Sequence, residues 1–508
     1  MLTRNIILAV SAFLFIGAYT IAAEDSGQAP PVKLNVKETP LGKADEVIPG
    51  TLAISPDQRH IAYSAKRGEK FVVVHDGQDG AQYDGMGEGA PVFSPDSQHF
   101  AYAAKSGDKF VVVADGKEDG NKFDGIVKGS MIYSPVMNRL AYMAQSGEKV
   151  LVVVDGVIGK EYKAIWNLMF TLDSKRIAYL ARTVEKSCAV VNGVEGKEYD
   201  EIGVLSVSPD SQRVGYPARE GEVGRYRYIA VIDGQETTKC MSIFQVCFSP
   251  DSQHVAWIAA SGADEWSLYM DGVAQKDKYV EWQFTQPLIY SPDSKRLAYV
   301  IIFEGKSLLV VDGKEGKAYI TIVDIKFSPD SAHLAYAASR QIEWMVVKDD
   351  KEGVVCNGVQ EDILAFSPDS RRLGYIALFE KKMAAVVDDV AGVKYDAVGG
   401  FSFSSDSKRT AYLAKSGEEI FTVVDGVEGK RYKGEIGPDV PMFSADSKHV
   451  AFRAGSGDKH VINIDGSETP EYSGAVPGSR VVFDGPGACH ALMQKGNEIA
   501  LVDVEIGE

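Results

Sequence analysis

Cysteine is scarce in this sequence, with five residues among 508. Five is an odd number, and the cysteines are unevenly spaced, so they do not form the framework of a disulfide-rich domain. A pair between Cys240 and Cys247 stays open for an exported chain, although each thiol is explained more simply as a small residue in a buried position. The cysteines are Cys188, Cys240, Cys247, Cys356 and Cys489.

Basic residues are in deficit. The chain has 54 Lys and Arg against 71 Asp and Glu, a formal net charge of −17. Binding to nucleic acid requires clustered cations that neutralise phosphates, and anionic membrane surfaces also attract basic segments. The charge therefore argues against nucleic acid and anionic membranes as partners. It suits a soluble exported protein.

Long apolar runs are absent after the N-terminus. Arg4 precedes the mostly apolar residues 6–23, and acidic and polar residues follow from Glu24. This order is typical of a secretory signal peptide. We predict that residues 1–23 are a signal peptide, that the protein is secreted or periplasmic, and that the mature chain does not span a membrane. A retained anchor helix is the alternative, since the stretch is barely long enough to cross a bilayer.

One repeated unit dominates the rest of the chain. Residues 93–102, FSPDSQHFAY, recur with small changes at spacings of 37 to 42 residues. About twelve such units fill residues 50–508, the last of them degenerate. Self-similarity at this period is typical of repeat architectures. The repeated turn begins at Ser55, Ser94, Ser134, Thr171, Ser208, Ser249, Ser291, Ser328, Ser367, Ser404 and Ser444.

Each unit has the pattern of four short strands joined by three turns. In the second unit, residues 94–97 have the composition of a type I turn, and Asp115-Gly116 supplies the backbone freedom of a hairpin loop. Residues 110–113, FVVV, lack polar alternation, which is typical of a strand buried on both faces. Four strands in about 40 residues, covered on both faces by identical neighbours, predict the blade of an all-β propeller.

The turn sequence resembles a known repeat. The pattern Phe-Ser-Pro-Asp-Ser, followed by Lys or Gln, Arg or His, an aliphatic residue, Ala and Tyr, is similar to the TolB-type (WD40-like, FSPD) β-propeller repeat. This resemblance extends over residues 50–495 and implies a propeller. It implies little about function, because such repeats occur in periplasmic scaffolds, peptidase propellers and polysaccharide lyases. This chain prefers Ser where that repeat usually has Gly. Clear copies begin at Phe248, Tyr290, Phe327 and Phe366.

The sequence leaves the number of rings open. Propellers typically hold four to eight blades, so we expect two six-bladed rings, with repeats 1–6 in residues 50–282 and repeats 7–12 in residues 283–508. The junction is expected near residues 276–287, where the spacing is longest. A division into seven plus five blades and one large ring are the alternatives.

The segment at residues 24–49 is expected to be an N-terminal tether that includes a closing strand. Val32, Leu34 and Val36 alternate with polar residues as in a strand. The twelfth unit ends after its third strand, so this N-terminal strand could supply its fourth.

The chain lacks the common catalytic motifs. It has neither a Gly-x-Ser-x-Gly elbow nor a phosphate-binding loop. The turn aspartate occurs in ten of eleven units, which indicates a structural role. We therefore predict no catalytic residues, no cofactor and no metal site. Five of the eight histidines occupy a repeat position where other units have arginine, which indicates a structural role; they are His60, His99, His254, His333 and His449.

Tryptophan departs from the repeat. Trp257, Trp266 and Trp282 fall in one unit, and Trp344 lies two units further on. Because tryptophan often anchors interfaces, Trp266, Trp282 and Trp344 are candidate interaction residues. Extra packing at a ring junction is the alternative.

Two functions fit these observations. The first is an exported, non-enzymatic propeller scaffold that binds a protein or glycan partner. The alternative is a carbohydrate-active enzyme, similar to a polysaccharide lyase or glycosidase, with its site over a propeller channel. The sequence does not indicate an oligomeric state.

Overall fold

The computed structural model describes residues 32–507 except 223–224, 238, 263–264, 276–280, 283–287, 362–363, 435–439 and 457–458. Apart from the 3-10 turn Ala44–Glu46, the regular structure of these residues is β-strand. The strands form twelve small antiparallel sheets in a ring. The prediction of an all-β propeller of about twelve four-stranded repeats is confirmed. The predicted signal peptide, residues 1–23, lies outside the described residues.

Each sheet is one blade, with strands A to D from the inner to the outer edge. In many blades strand A is split into two short segments, both paired with strand B. The strands of blades 1 to 4 are, in order, Ala53–Ile54, Ile61–Arg67, Lys70–His75 and Gln78–Asp79; Gly85–Met86 with Val92–Phe93, Phe100–Ser106, Lys109–Ala114 and Lys117–Glu118; Gly125–Ile126 with Ile132–Tyr133, Leu140–Ser146, Lys149–Val154 and Val157–Tyr162; and Ala164–Phe170, Ile177–Arg182, Ser187–Val191 and Val194–Glu195.

Blades 5 to 8 follow the same order. Their strands are Glu201–Ile202 with Ser206–Val207, Val214–Glu220, Arg227–Ile232 and Gln235–Glu236; Ser242–Phe248, Val255–Gly262, Glu265–Met270 and Val273–Ala274; Glu281–Trp282 with Ile289–Tyr290, Leu297–Phe303, Lys306–Val311 and Lys314–Tyr319; and Thr321–Phe327, Leu334–Arg340, Glu343–Lys348 and Lys351–Glu352.

Blades 9 to 12 complete the ring, and strand Lys33–Lys43 from the N-terminal segment is strand D of blade 12. Their strands are Gly358–Val359 with Ala365–Phe366, Leu373–Phe379, Lys382–Val387 and Val390–Ala391; Ala397–Phe403, Thr410–Ser416, Glu419–Val424 and Val427–Glu428, with Tyr432–Lys433 beside the third; Met442–Phe443, Val450–Ser456, Lys459–Ile464 and Ser467–Glu468; and Gly474–Ala475 with Val482–Gly485, Ala488–Lys495, Glu498–Gly507 and Lys33–Lys43.

The apolar C strands pack against both neighbouring blades. In blade 2, Val111 and Val113 lie in a core shared with Val73 of blade 1, whereas Val112 lies in a core shared with Tyr142 of blade 3. Successive side chains of a strand point to opposite faces, and both faces of each blade are covered. This explains why the C strands lack polar alternation.

The contacts close one ring of twelve blades. Blade 6 packs on blade 7 through a core that includes Leu268 and Tyr299, and blade 1 packs on blade 12 through a core that includes Tyr63 and Leu492. One large ring, the third of the predicted arrangements, therefore describes the structure, and the preferred division into two six-bladed rings does not. That preference rested on usual blade numbers and one long spacing, neither of which reports which faces are buried together.

The N-terminal strand closes this ring. It pairs antiparallel with the last strand, from Lys33 opposite Gly507 to Lys43 opposite Glu498. Glu38 accepts a hydrogen bond from the Tyr472 hydroxyl at 3.0 Å. The first described strand and the last thus lie in the same sheet, with strand Lys33–Lys43 at its edge.

The repeated turn forms a compact hydrogen-bonded loop. In blade 8 the Ser328 hydroxyl donates to Asp330 Oδ1 at 2.6 Å, and the same oxygen accepts the Ala332 N–H at 3.0 Å. The His333 N–H donates to Ser328 Oγ at 2.9 Å. Ser331 completes the turn with a φ of +66°, a conformation that glycine normally adopts more easily.

That serine also joins the turn to the preceding blade. The Asp293 N–H of blade 7 donates to Ser331 Oγ of blade 8 at 3.0 Å. The corresponding bond is present at nine junctions between neighbouring turns. Glycine would suit the backbone but has no oxygen to accept this bond. The inter-blade bond therefore explains why this chain prefers Ser over Gly.

We predict different costs for two substitutions at this position. Ser331→Ala should lower the free energy of unfolding by about 1–3 kcal/mol, because the Asp293 N–H loses its acceptor. Ser331→Gly loses the same bond but should recover roughly 1 kcal/mol, because glycine adopts a positive φ without strain. Urea denaturation compares the two variants. An alanine variant as stable as the parent would contradict a stabilising inter-blade bond.

A second prediction concerns the aromatic position of strand B. Tyr336 is 2% exposed and packs edge-on against Tyr319, with ring centroids 6.2 Å apart. Tyr336→Ala should cost roughly 3 kcal/mol or more. His333→Arg is the control and should change stability little, because arginine occupies this position in six other blades. Equal shifts in thermal melting would show that the repeat positions are misassigned.

A third prediction concerns ring closure. Leu34 and Val36 are half-buried in the N-terminal strand and pack against the core between blades 11 and 12. Leu34→Asp together with Val36→Asp should lower the melting temperature and expose blade 12 to limited proteolysis, because charged groups are costly to bury. Lys33→Asp, at an exposed position of the same strand opposite Gly507, should do neither. Unchanged proteolysis of the double variant would show that the strand is dispensable.

Candidate functional site

One side of the ring, here called the turn face, carries the A–B turns of the blades and the C–D turns of blades 1–11. On it, the repeated His or Arg contacts the Asp of the C–D turn, as in His99 Nδ1 to Asp115 Oδ2 at 2.7 Å and Arg139 Nε to Asp155 Oδ2 at 2.8 Å. Because one contact serves both residue types, the sequence exchanges them freely. The five histidine pairs are His60–Asp76, His99–Asp115, His254–Asp271, His333–Asp349 and His449–Asp465.

The aspartates of the A–B turns serve as hydrogen-bond acceptors. The Ser94 hydroxyl and the Gln98 N–H both donate to the Asp96 carboxylate, and these bonds lower the pKa of Asp96 to about 2. The corresponding bonds lower the pKa of Asp293 to about 2. A carboxylate that stays ionised in this way is poorly suited to donate a proton as a general acid.

Another repeated contact joins neighbouring blades near strand D. Here a tyrosine hydroxyl donates to a glutamate of the next blade, as in Tyr319 to Glu352 at 2.9 Å. Where the tyrosine is replaced, the glutamate position is apolar as well. The replaced pairs, by repeat position, are Phe123 with Ile158, Cys240 with Ala274 and Cys356 with Ala391. The two cysteines are therefore packing substitutes in the tyrosine position.

The thiols are free in the structure. Cys240 Sγ lies 3.3 Å from the Tyr228 carbonyl oxygen, whereas Cys247 Sγ contacts the Phe248 and Leu288 carbonyl oxygens. The pair that the sequence left open is thus not formed. Burial raises the pKa of Cys240 to about 11, and a thiol that stays protonated is unreactive.

The three candidate tryptophans lie in different blades. Trp266 is 9% exposed in the core between blades 6 and 7, which is the packing location that the sequence left as an alternative. Trp344 is half-buried against the core of blades 8 and 9. The backbone of Trp282 pairs with Ile301 in blade 7, but its side chain lies outside the described part of the chain. Their role in binding stays a prediction.

A cleft of 470 Å³ opens between the A strands of blades 5 and 6. Apolar side chains such as Pro217 and Phe244 line most of it. Arg219 Nη2 lies 2.8 Å from Glu201 Oε2, and its guanidinium stacks on Tyr226 at 4.0 Å. Glu201 is the only carboxylate among the described residues that line this cleft.

The strongest break in the repeat lies on the turn face of blades 3 and 4. Val136 occupies the position of the turn aspartate, Met137 that of the turn serine, and Leu172 that of the turn proline. They are 68%, 49% and 57% exposed. The Val136 N–H donates to Ser174 Oγ of blade 4 at 2.8 Å, so the two turns adjoin. We call Val136, Met137 and Leu172, together with Lys175 and Arg176, the blade 3–4 patch.

The patch has also lost negative charge. Blade 4 has Asn192 in place of the C–D turn aspartate. Asn192 Oδ1 still accepts the Ile177 N–H at 2.9 Å, so the turn is conserved in shape. However, Arg176 has no carboxylate there, and its buried Nη2 has no hydrogen-bond partner. Blades 1, 2 and 5–11 each have an aspartate in both the A–B and the C–D turn. Blades 3 and 4 each have an aspartate in only one of these turns.

Two exceptions to the repeat in the sequence indicate this patch. The turn that starts at Ser134 is the one of eleven without aspartate, and Asn192-Gly193 is the one Asn-Gly pair among the eleven C–D turns. The sequence alone does not show that these two exceptions lie side by side, because blades 3 and 4 become neighbours only in the folded ring.

Comparison with known proteins adds little. No protein-family model matches the sequence, and no curated protein is similar to it. A crystal structure of "the eukaryotic initiation factor" is similar at 11% identity with a TM-score of 0.35, covering 62% of this chain and 90% of that one. A crystal structure of "the tricorn protease" is similar at 11% identity with a TM-score of 0.25, covering 89% and 56%. The resemblance to TolB-type repeats stays a prediction.

Proposed function

We propose that this protein is an exported, non-enzymatic propeller scaffold that binds a partner protein through the blade 3–4 patch. The observation that supports this proposal most is the exposure of Val136, Met137 and Leu172 where other blades carry aspartate, serine or proline. In other blades the aspartate of the A–B turn accepts hydrogen bonds within the turn, as Asp96 does. Adjacent exposed apolar residues rimmed by polar groups are typical of interaction sites.

The charge of the patch indicates the chemistry of its partner. Lys175 is exposed and Arg176 lacks the carboxylate that pairs with arginine in other blades. The whole chain has a net charge of −17, which disfavours a second copy as the occupant. A partner segment with acidic side chains beside apolar ones would meet complementary charge here and repulsion over most of the remaining surface.

Export is the part of the proposal that rests on sequence. The basic and apolar pattern of residues 1–23 supports it. Free thiols are compatible with an exported protein as well as with a cytoplasmic one, because buried cysteines are unreactive.

The alternative, a carbohydrate-active enzyme, has weaker support. Glycosidases of the usual kind need two carboxylates flanking the scissile bond. In the cleft between blades 5 and 6, Glu201 is the single carboxylate among the described lining residues and is paired with Arg219. The five repeated histidines lie in separate blades and pair with aspartate.

A fourth prediction tests the patch by restoring the repeat. Val136→Asp with Leu172→Pro places in blades 3 and 4 the residues that most other blades carry, so the ring should fold. The same change removes apolar surface and adds negative charge. Binding of the partner should weaken by about 2 kcal/mol or more. The partner is first captured by cross-linking from the native envelope fraction, and its affinity is then measured with purified proteins.

The control is Gln212→Glu, which adds a negative charge to the exposed turn of blade 5. It should leave capture and affinity unchanged. Loss of binding in both variants would indicate general charge repulsion. Full binding by the double variant would place the interaction surface on another part of the ring.

A further inference from the structure

Blade 1 differs from the other blades that pair histidine with aspartate. His60 contacts Asp76 as His99 contacts Asp115 in blade 2. Blade 1 alone adds a second imidazole, His75, at the strand position where blade 2 has Ala114. Among the described residues, His60, His75 and Asp76 are the one group of His, Cys, Asp and Glu side chains whose ligand atoms all lie within 4.8 Å of one another.

The distances suit a transition-metal ion. His60 Nδ1 lies 2.6 Å from Asp76 Oδ2, and His75 Nε2 lies 3.6 Å from the same oxygen. Ligand atoms around tetrahedral zinc are roughly 3.3 Å apart, since each zinc–ligand bond is about 2.0–2.1 Å. The His60–Asp76 pair must therefore separate by less than 1 Å, and all three ligand atoms already lie within 4.8 Å of one another.

Neighbouring groups orient these side chains. The His75 ring stacks on Phe100 at 4.3 Å. Asp76 Oδ1 accepts the Ile61 N–H at 3.0 Å, so Oδ2 is the oxygen that faces the two imidazoles. The side chains of His60, His75 and Asp76 are 35%, 36% and 23% exposed, so an ion from solvent can reach all three.

Burial lowers the pKa of His75 against the opposing charge of Asp76. The neutral imidazole is the form that binds metal ions. Besides Asp76, the charged and titratable groups that act on this ring are His60 and Asp115.

We propose that His60 Nδ1, His75 Nε2 and Asp76 Oδ2 bind a divalent transition-metal ion of the zinc type, with water in the fourth position. Each imidazole binds the ion through a ring nitrogen that carries no proton, so a proton on His60 Nδ1 has to move to Nε2 or to solvent when the ion binds. Affinity should therefore fall as the pH is lowered through the histidine range.

The test is titration calorimetry of the chelator-treated full chain with Zn²⁺ alone. His75→Ala introduces the residue of blade 2, and His60→Arg introduces the residue of six other blades, so both variants should melt like the parent. Each should weaken Zn²⁺ binding at least about tenfold, which is the smallest loss expected even for residues that only support ligands. His254→Ala, in a blade with Met270 at the second position, should bind like the parent.

Three outcomes would overturn the proposal. They are a parent chain without Zn²⁺ binding, a His75→Ala variant that binds as tightly as the parent, and a His254→Ala variant that loses affinity to the same extent. Binding that is equally tight at about pH 5.5 and about pH 7.5 would also exclude histidine ligands.

Discussion

Each blade of this ring depends on its neighbours for groups that it cannot satisfy alone. The Asp293 N–H finds its acceptor on Ser331 of the next blade, and the Tyr319 hydroxyl finds its acceptor on Glu352. Apolar residues of the C strands point alternately into two different inter-blade cores. A single unit therefore has two uncovered apolar faces and unpaired donors, which is why repeats of this kind are stable only in a stack.

A stack of such units must also end without uncovered faces. Here the two ends meet, because strand Lys33–Lys43 completes the sheet of the last blade. Arg59 of blade 1 strengthens this seam through ion pairs with Asp484 and Asp503 of blade 12. Closure covers the outward faces of blades 12 and 1, which share a core that includes Tyr63 and Leu492.

Departures from the repeat fall into two kinds. Some are compensated: Cys240 and Cys356 replace tyrosine where Ala274 and Ala391 replace glutamate, so no polar group loses a partner. Others are not compensated. Val136 and Leu172 are exposed apolar residues, and Arg176 keeps its charge opposite Asn192. Only the uncompensated departures leave exposed apolar side chains and an unpaired charge on the surface. The blade 3–4 patch, which is the proposed interaction surface, includes these residues.

The sequence by itself determined the blade. The spacing of the turns, the apolar C strands and the Asp-Gly pairs are local signals, and each follows from backbone geometry or from burial on both faces. The closing strand could also be anticipated from the alternation of Val32, Leu34 and Val36. Tertiary structure decided the number of blades in the ring, because that number depends on which faces meet, as at Leu268 and Tyr299. It also decided the sites, because Val136 adjoins Ser174 and His60 approaches His75 only after blades and strands have packed together.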